Sequence, residues 1–297
     1  MNDIARVFSE EYDGIFFIEG KNQGKYPYSN SLLVGDYLFD TGISEEKIQK
    51  LKKNVSINNV VLSHWHEDHI SGNKNFNKAK FYCHREDKHI IEDISRMDLF
   101  YGVIDSIYDD IMNMLDLRNR RIDYIFEGND ELIANNEIKL KVIHAPGHSA
   151  GHCCFYETNS KVIFLADIDL SSFGPWYGAM DSSVIEFERS IKRLKKLNLK
   201  FAFTSHSGVI DGIKTIRKKL ERCLSIIYER DDVILSYLSE KKPKTAFDLE
   251  HKNITYKTYS YFKNYELVAE RIMIQYHLDK LLEENILEQE GNGYVLK

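Results

Sequence analysis

The chain has 297 residues, 43% of them hydrophobic, enough to bury a sizeable core in one large domain or in a large domain with a small one beside it. Its 40 basic and 46 acidic residues leave a formal charge of −6, which excludes a bulk basic field of the kind that holds nucleic acid by charge alone. An N-terminus with an early acid and no apolar core, and no bilayer-length apolar run anywhere, speak against a signal peptide or membrane anchor, and four cysteines with Cys153 beside Cys154 make a poor disulfide framework, so a cytoplasmic, reducing compartment is expected.

The first third punctuates as short strands at 14–18, 31–34 and 37–39, separated by Gly, Asn and Pro turns. Ser44, followed by Glu45 and Glu46, reads as the cap of a helix, and Asn59 to Leu62 as a buried strand ending at Ser63. From 84 to about 120 the spacing of Ile90, Ile91, Ile94, Met97, Ile104, Ile107, Ile111 and Met114 predicts a helical insert of one or two amphipathic helices, either a core face or a cap over a site. Strands return near 138–143, 153–156 and 162–165. A helix at 183–197, a strand at 201–204 and a long polar helix at 213–237 follow. Pro243 marks a boundary between a domain at 1–242 and a small one at 243–297, where a short helix, a long helix and a Gly-Asn-Gly hairpin suggest a winged helix.

Ser63-His64-Trp65-His66-Glu67-Asp68-His69 crowds three imidazoles and a carboxylate just after an apolar strand. At a strand end, a spacing of two puts His64 and His66 on one face, where they can reach one ion together; Asp68 and His69, in the following turn, point toward a second. With no CxxC pair in the chain, His and carboxylates must hold any metal, a donor set that takes zinc first, with iron or manganese as alternatives.

The HxHxDH pattern after a hydrophobic strand resembles the signature of the metallo-β-lactamase superfamily. That family's later ligands are matched in order by His148 in Ala145-Pro146-Gly147-His148-Ser149, Asp167 in Phe164-Leu165-Ala166-Asp167, and His206 in Thr204-Ser205-His206-Ser207-Gly208. The sequence departs from the family in carrying Ala166 and Ser205 where glycine often stands. The resemblance implies an α/β fold, a four-layer αββα sandwich. It further implies two divalent ions, one held by His64, His66 and His148, the other by Asp68, His69 and His206, with Asp167 between them. A water or hydroxide bridging the ions would be the nucleophile, and Asp68, the residue singled out for catalysis, its orienter and proton acceptor.

Asp40, in Leu38-Phe39-Asp40-Thr41-Gly42, resembles the family's strand-end Asp-x-Gly and either steadies a ligand imidazole or serves only its turn. His144 and His152 flank the third ligand loop and are expected to back the ligands or to pack. Trp176 and Tyr177, shortly after Asp167, either wall the substrate pocket or join the core. The last ligand stretch looks like the hydroxyacylglutathione-hydrolase-like members, and the tail like the winged helix of a branch that includes a single-strand-specific endoribonuclease. With 7 Lys or Arg against 9 Asp or Glu after residue 242, the tail is no DNA reader. Its expected work is packing, dimerisation or shaping the cleft.

Hydrolysis of a small ester, thioester or lactam-like substrate leads. Phosphodiester cleavage of RNA or DNA stands second, with basic clusters at 192–196 and 214–222 as its candidate contacts. Iron-dependent oxygenase chemistry stands third, and a binding protein without catalysis last.

Overall fold

The computed structural model describes residues 5–7, 14–102, 112–134, 138–239, 241–260 and 263–297. Two sheets form its centre. The first runs in chain order through β1 (Ala5–Val7), β2 (Ile15–Ile18), β3 (Ser31–Val34), β4 (Tyr37–Phe39), β5 (Asn59–Val61), β6 (Lys80–His84) and β7 (Tyr124–Phe126). Its first three pairings are antiparallel and its last three parallel. The second sheet has the order β13 (Gly208–Asp211), β12 (Phe201–Thr204), β11 (Val162–Phe164), β10 (Cys153–Glu157), β9 (Ile138–His144), β8 (Glu131–Ala134), and only β11 with β12 is parallel.

Alternation along the strands assigns each sheet two apolar faces. Phe17, Leu32, Phe39 and Val61 face Val142, Phe155, Phe164 and Phe203 in a core between the sheets, where Phe39 and Phe155 stand 4.8 Å apart. The outer face of the first sheet, with Leu33, Leu38, Val60 and Phe81, is covered by α1 (Glu45–Asn54) and α3 (Arg85–Ile91) through Ile48, Leu51, Ile90 and Ile91. The outer face of the second, with Cys154, Ile163 and Ala202, lies under α5 (Val184–Leu194) and α6 (Ile213–Tyr237) through Phe187, Ile191, Leu220 and Ile227. The order of layers is helix, sheet, sheet, helix, as expected. No described helix is long and apolar enough to cross a membrane.

Helix starts are written locally: Ser44 and Ser183 accept hydrogen bonds from the Lys47 and Glu186 amides. In the expected helical insert, α3 stops at Ile91 and α4 (Met97–Tyr101) ends on Gly102 in the left-handed conformation, φ +63°. Ile104, Ile107 and Ile111 lie outside the described residues. After Pro243 come α7 (Ala246–Leu249), capped reciprocally by Thr245 and Asp248, then α8 (Lys263–Glu283) and the hairpin β14 (Leu287–Glu290) with β15 (Gly293–Leu296). Leu249, Ile274, Leu278 and Leu287 close a small core of their own with Ile234 of α6. The same long helix also reaches back: Met273 packs under the second sheet, and the Tyr276 hydroxyl donates to the carbonyls of Ala179 and Met180.

Candidate metal centre

The donor residues sit where strands of both sheets end at one edge of the sandwich. His64 and His66 follow β5, with Asp68 and His69 in the short helix α2 (Glu67–Ile70). His148 lies in the loop between β9 and β10, while Asp167 follows β11 and His206 follows β12. Two glycines allow this crowding: a Cβ on Gly42 would lie 1.6 Å from the Asp68 carbonyl oxygen, and one on Gly147, φ +134°, would enter the Phe187 backbone. Ala166, one residue before Asp167, adopts φ +48°, a conformation that favours glycine, so the departure noted in the sequence is a residue held in backbone strain beside the site.

One donor atom each from His64, His66 and His148 lies within 4.8 Å of the other two, and the same holds for Asp68, His69 and His206. Asp167 stands between the groups, Oδ1 3.0 Å from His69 Nε2 and Oδ2 3.3 Å from both His148 Nε2 and His206 Nε2. Asp68 Oδ2 is 3.3 Å from His206 Nε2.

What backs the imidazoles decides which nitrogen is bare. His148 Nδ1 donates to the Trp176 carbonyl at 2.9 Å and His206 Nδ1 to that of Gly24 at 2.6 Å. His69 Nδ1 faces Asp40 Oδ2 at 2.8 Å. The Ser63 hydroxyl donates to that same Asp40 oxygen at 2.7 Å and so accepts from His64 Nδ1 at 2.9 Å. Asp40 thus orients His69 directly and His64 through Ser63, and each of the four rings, held at Nδ1, turns its Nε2 inward. Nε2 of His64 and His148 approach to 3.1 Å, and buried His66 Nε2 has no hydrogen-bond partner. Inward ring nitrogens, one of them orphaned, together with two carboxylates, fit divalent cations.

Charge separates the two groups. Burial, then the neighbouring imidazoles, hold His64 well below its ordinary pKa, and burial, then His148, does the same for His66. Burial takes His148 down to about 4 against the pull of Asp167. In the other group burial also opposes the imidazolium, but Asp167 and Asp68 outweigh it, raising His69 well above the usual range and His206 to about 10. Burial lifts Asp68 to about 6 although His69 and His206 pull it down.

The other expected residues divide. His152 takes the Asp167 amide on Nε2 at 3.2 Å and gives its Nδ1 proton to the Ala145 carbonyl, so it backs the site. His144 does not: it stacks on His84 at 4.0 Å and bonds the Ala150 carbonyl, touching no ligand, because the end of β9 turns it toward β6. Trp176 lines the cavity that opens over the donors. Tyr177, its neighbour, does not wall the pocket but takes the other place expected for it: it is buried in the second core, its hydroxyl against His277 at 2.7 Å and Arg230 at 2.9 Å, and lies off the cavity. Buried Arg230 also donates to the Pro175 and Phe173 carbonyls, clamping the loop whose Trp176 carbonyl steadies His148.

The cavity measures about 460 Å³. Beside His66, Asp68, His148, Asp167 and His206 it is lined by residues that belong to no motif, among them Tyr26, Tyr101, Tyr256 and Tyr265. Glu67, inside the motif, is buried and takes the hydroxyls of both Tyr26 and Tyr101. The signal for Glu67 was its place between two donors; nothing in the sequence marks the tyrosines.

A sequence profile described as the metallo-beta-lactamase superfamily matches residues 26–206. This chain belongs to that superfamily. It is 25% identical over 233 residues to an atrochrysone carboxyl ACP thioesterase of Pseudocercospora fijiensis, a match covering 74% of this chain and 60% of that protein. It is 24% identical over 194 residues to a hydroxyacylglutathione hydrolase of Pelagibacter ubique, covering 59% of this chain and 69% of the other. The crystal structure of a metallo-beta-lactamase family protein from Thermus thermophilus superposes with a TM-score of 0.69 at 20% identity, over 95% of this chain and 93% of that one. The chain is a metallo-β-lactamase-fold hydrolase with a His and Asp cluster suited to divalent metal.

Proposed function

We propose that this protein hydrolyses a small-molecule ester, thioester or lactam-like carbonyl substrate at a centre of two divalent ions, with zinc the first choice. His64, His66 and His148 would hold one ion and Asp68, His69 and His206 the other, with Asp167 placed to serve both. When bound, such ions would supply a water of lowered pKa and polarise the carbonyl oxygen. Asp68 faces the cavity and takes the proton of the attacking water, while Asp40, Ser63 and His152 keep the donors aimed.

The observation that carries this reading is the cavity over Asp68: among the described residues lining it, Lys25 is the single Lys or Arg. A nucleic-acid backbone would need more. The basic clusters at 192–196 and 214–222 lie off the cavity, and three of their side chains are engaged elsewhere, Lys195 with Glu221, Arg193 with the His144 carbonyl and Lys219 with that of Leu170. Two similar proteins bear thioesterase and hydroxyacylglutathione hydrolase names, which favours thioesters among the carbonyl substrates. The tail at 243–297, in the order helix, helix, hairpin, is on this reading a winged-helix domain shaping the cleft. The test is a panel of thioester, lactone, β-lactam, bis-p-nitrophenyl phosphate and single-stranded RNA on protein of known metal content. Carbonyl substrates should turn over; turnover of the phosphodiester and RNA alone would defeat the proposal, and iron with one ion per chain would favour an oxygenase.

A further inference from the structure

Two ladders of rings lead outward from the ligand imidazoles. In one, His66 lies 5.7 Å from Tyr101, and Tyr101 lies 5.4 Å from Tyr265. In the other, His148 lies 5.5 Å from Trp176, whose indole Nε1 donates to the Tyr256 hydroxyl at 2.7 Å, and Tyr256 lies 5.2 Å from Phe173. Both ladders reach residues of the C-terminal segment, and all of these aromatic side chains line the cavity. Of the polar tips, Glu67 takes the hydroxyl protons of Tyr26 and Tyr101, and the Tyr256 hydroxyl accepts the indole proton. What they offer a ligand is ring surface.

The charges of the cavity point the same way. Glu67, Asp68, Asp167, Asp169 and Glu266 line it against Lys25, a formal balance of −4 that two divalent ions bring to zero. No surplus cation is left for a substrate that carries several carboxylates or phosphates of its own.

We infer that the outer part of the cavity is a subsite for an uncharged, ring-bearing acyl group, and that Tyr256 and Tyr265 of the C-terminal segment form its specificity-determining wall. This rests on the carbonyl-hydrolase reading above and narrows it: a thioester of an aromatic acid fits, whereas a lactoyl thioester of glutathione, which brings no ring to the subsite and a net negative charge on its thiol side, does not.

The test uses the full-length, metal-loaded protein and two measurements. Turnover is compared for 2-naphthoyl-N-acetylcysteamine, acetyl-N-acetylcysteamine and S-lactoylglutathione. Binding is measured by calorimetry for the naphthyl and methyl ketones in which a methylene replaces the thioester sulfur. The naphthyl ketone should bind at least about tenfold tighter than the methyl ketone, and the naphthoyl thioester should have the highest kcat/KM. Combining Tyr256→Ala with Tyr265→Ala should lower the naphthyl preference about tenfold, through KM, while Tyr256→Phe with Tyr265→Phe, which keeps the rings, should retain it. Equal binding of the two ketones by the wild-type protein, or S-lactoylglutathione as the best substrate, overturns the subsite without touching the hydrolase reading. Tight, ring-dependent binding of the naphthyl ketone with no hydrolysis of any carbonyl substrate does the reverse: the subsite stands and the proposed reaction falls.

Discussion

The two donor groups of the centre stand on either side of one carboxylate, Asp167, and differ in almost everything else. The group of His64, His66 and His148 is all imidazole and neutral in the buried site, each ring held below its ordinary pKa first by burial. The group of Asp68, His69 and His206 mixes acids with bases and holds protons between them: His69 and His206 are raised by the carboxylates they face. A buried site can therefore be prepared for a cation in two ways, by keeping donors empty or by letting protons stand in for the ion.

The largest effect that tests this contrast is on Asp68. Asp68→Asn removes a donor charge and the proton acceptor from one group only, so kcat should fall roughly 10²–10⁴-fold while the three-imidazole group still takes up an ion. Turnover near that of the wild type, measured with metal content, breaks the assignment. Next come the groups behind the ligands. Asp40→Asn should weaken metal affinity by about 10–100-fold where His69 contributes, because the ring loses the carboxylate that fixes its tautomer. Ser63→Ala should weaken the His64 group alone, whereas Asp40→Asn also reaches the His69 group; a calorimetric titration in which Ser63→Ala weakens both ions equally would merge two groups into one.

The pH dependence is a smaller and sharper test. His206, raised to about 10, and His69, also raised, carry protons at neutral pH that an ion must displace, so affinity at their group should rise with pH, by about tenfold per unit for each proton lost. His64, His66 and His148 are lowered, so above neutral pH their group should bind with little dependence on pH and little proton release. Titrations in buffers of different ionisation enthalpy count the protons; equal release for both ions removes the contrast. The smallest effect belongs to His144→Ala, which should change kcat and metal content by less than about twofold, since that ring touches no donor.

What the sequence discloses about this site follows how local each contribution is. The donors are legible because HxHxDH packs them into one strand end and because strand ends recur before His148, Asp167 and His206. The layers are legible because apolar alternation and helical spacing mark their faces. Adjacent Trp176 and Tyr177 have no such periodicity: one faces the cavity and the other the core because Arg230, on a distant helix, grips the loop between Phe173 and Tyr177. His144 sits near the ligand loop in sequence, yet its strand end turns it toward His84. Tyr256 and Tyr265 lie beyond the boundary suggested at Pro243, and only the return of α8 across the helical layer brings them to the cavity. Proximity created by tertiary path leaves no mark in a local pattern.

His206 is tied to the front of the catalytic unit. Its ring donates to the Gly24 carbonyl, a contact between residues 182 positions apart, and Asn30 bonds the Thr204 and Ser205 carbonyls just before it. During synthesis the three-imidazole group has all its members as soon as His148 leaves the ribosome, whereas the second group waits both for His206 and for the early loop to come round and meet it. Closing so long a stretch of chain is slow and costs entropy that only the packed sandwich repays. On the two-ion proposal, the donors of one ion are thus all present while the second sheet is still incomplete, and firm retention of a second ion would report that the front and back of the catalytic unit have met.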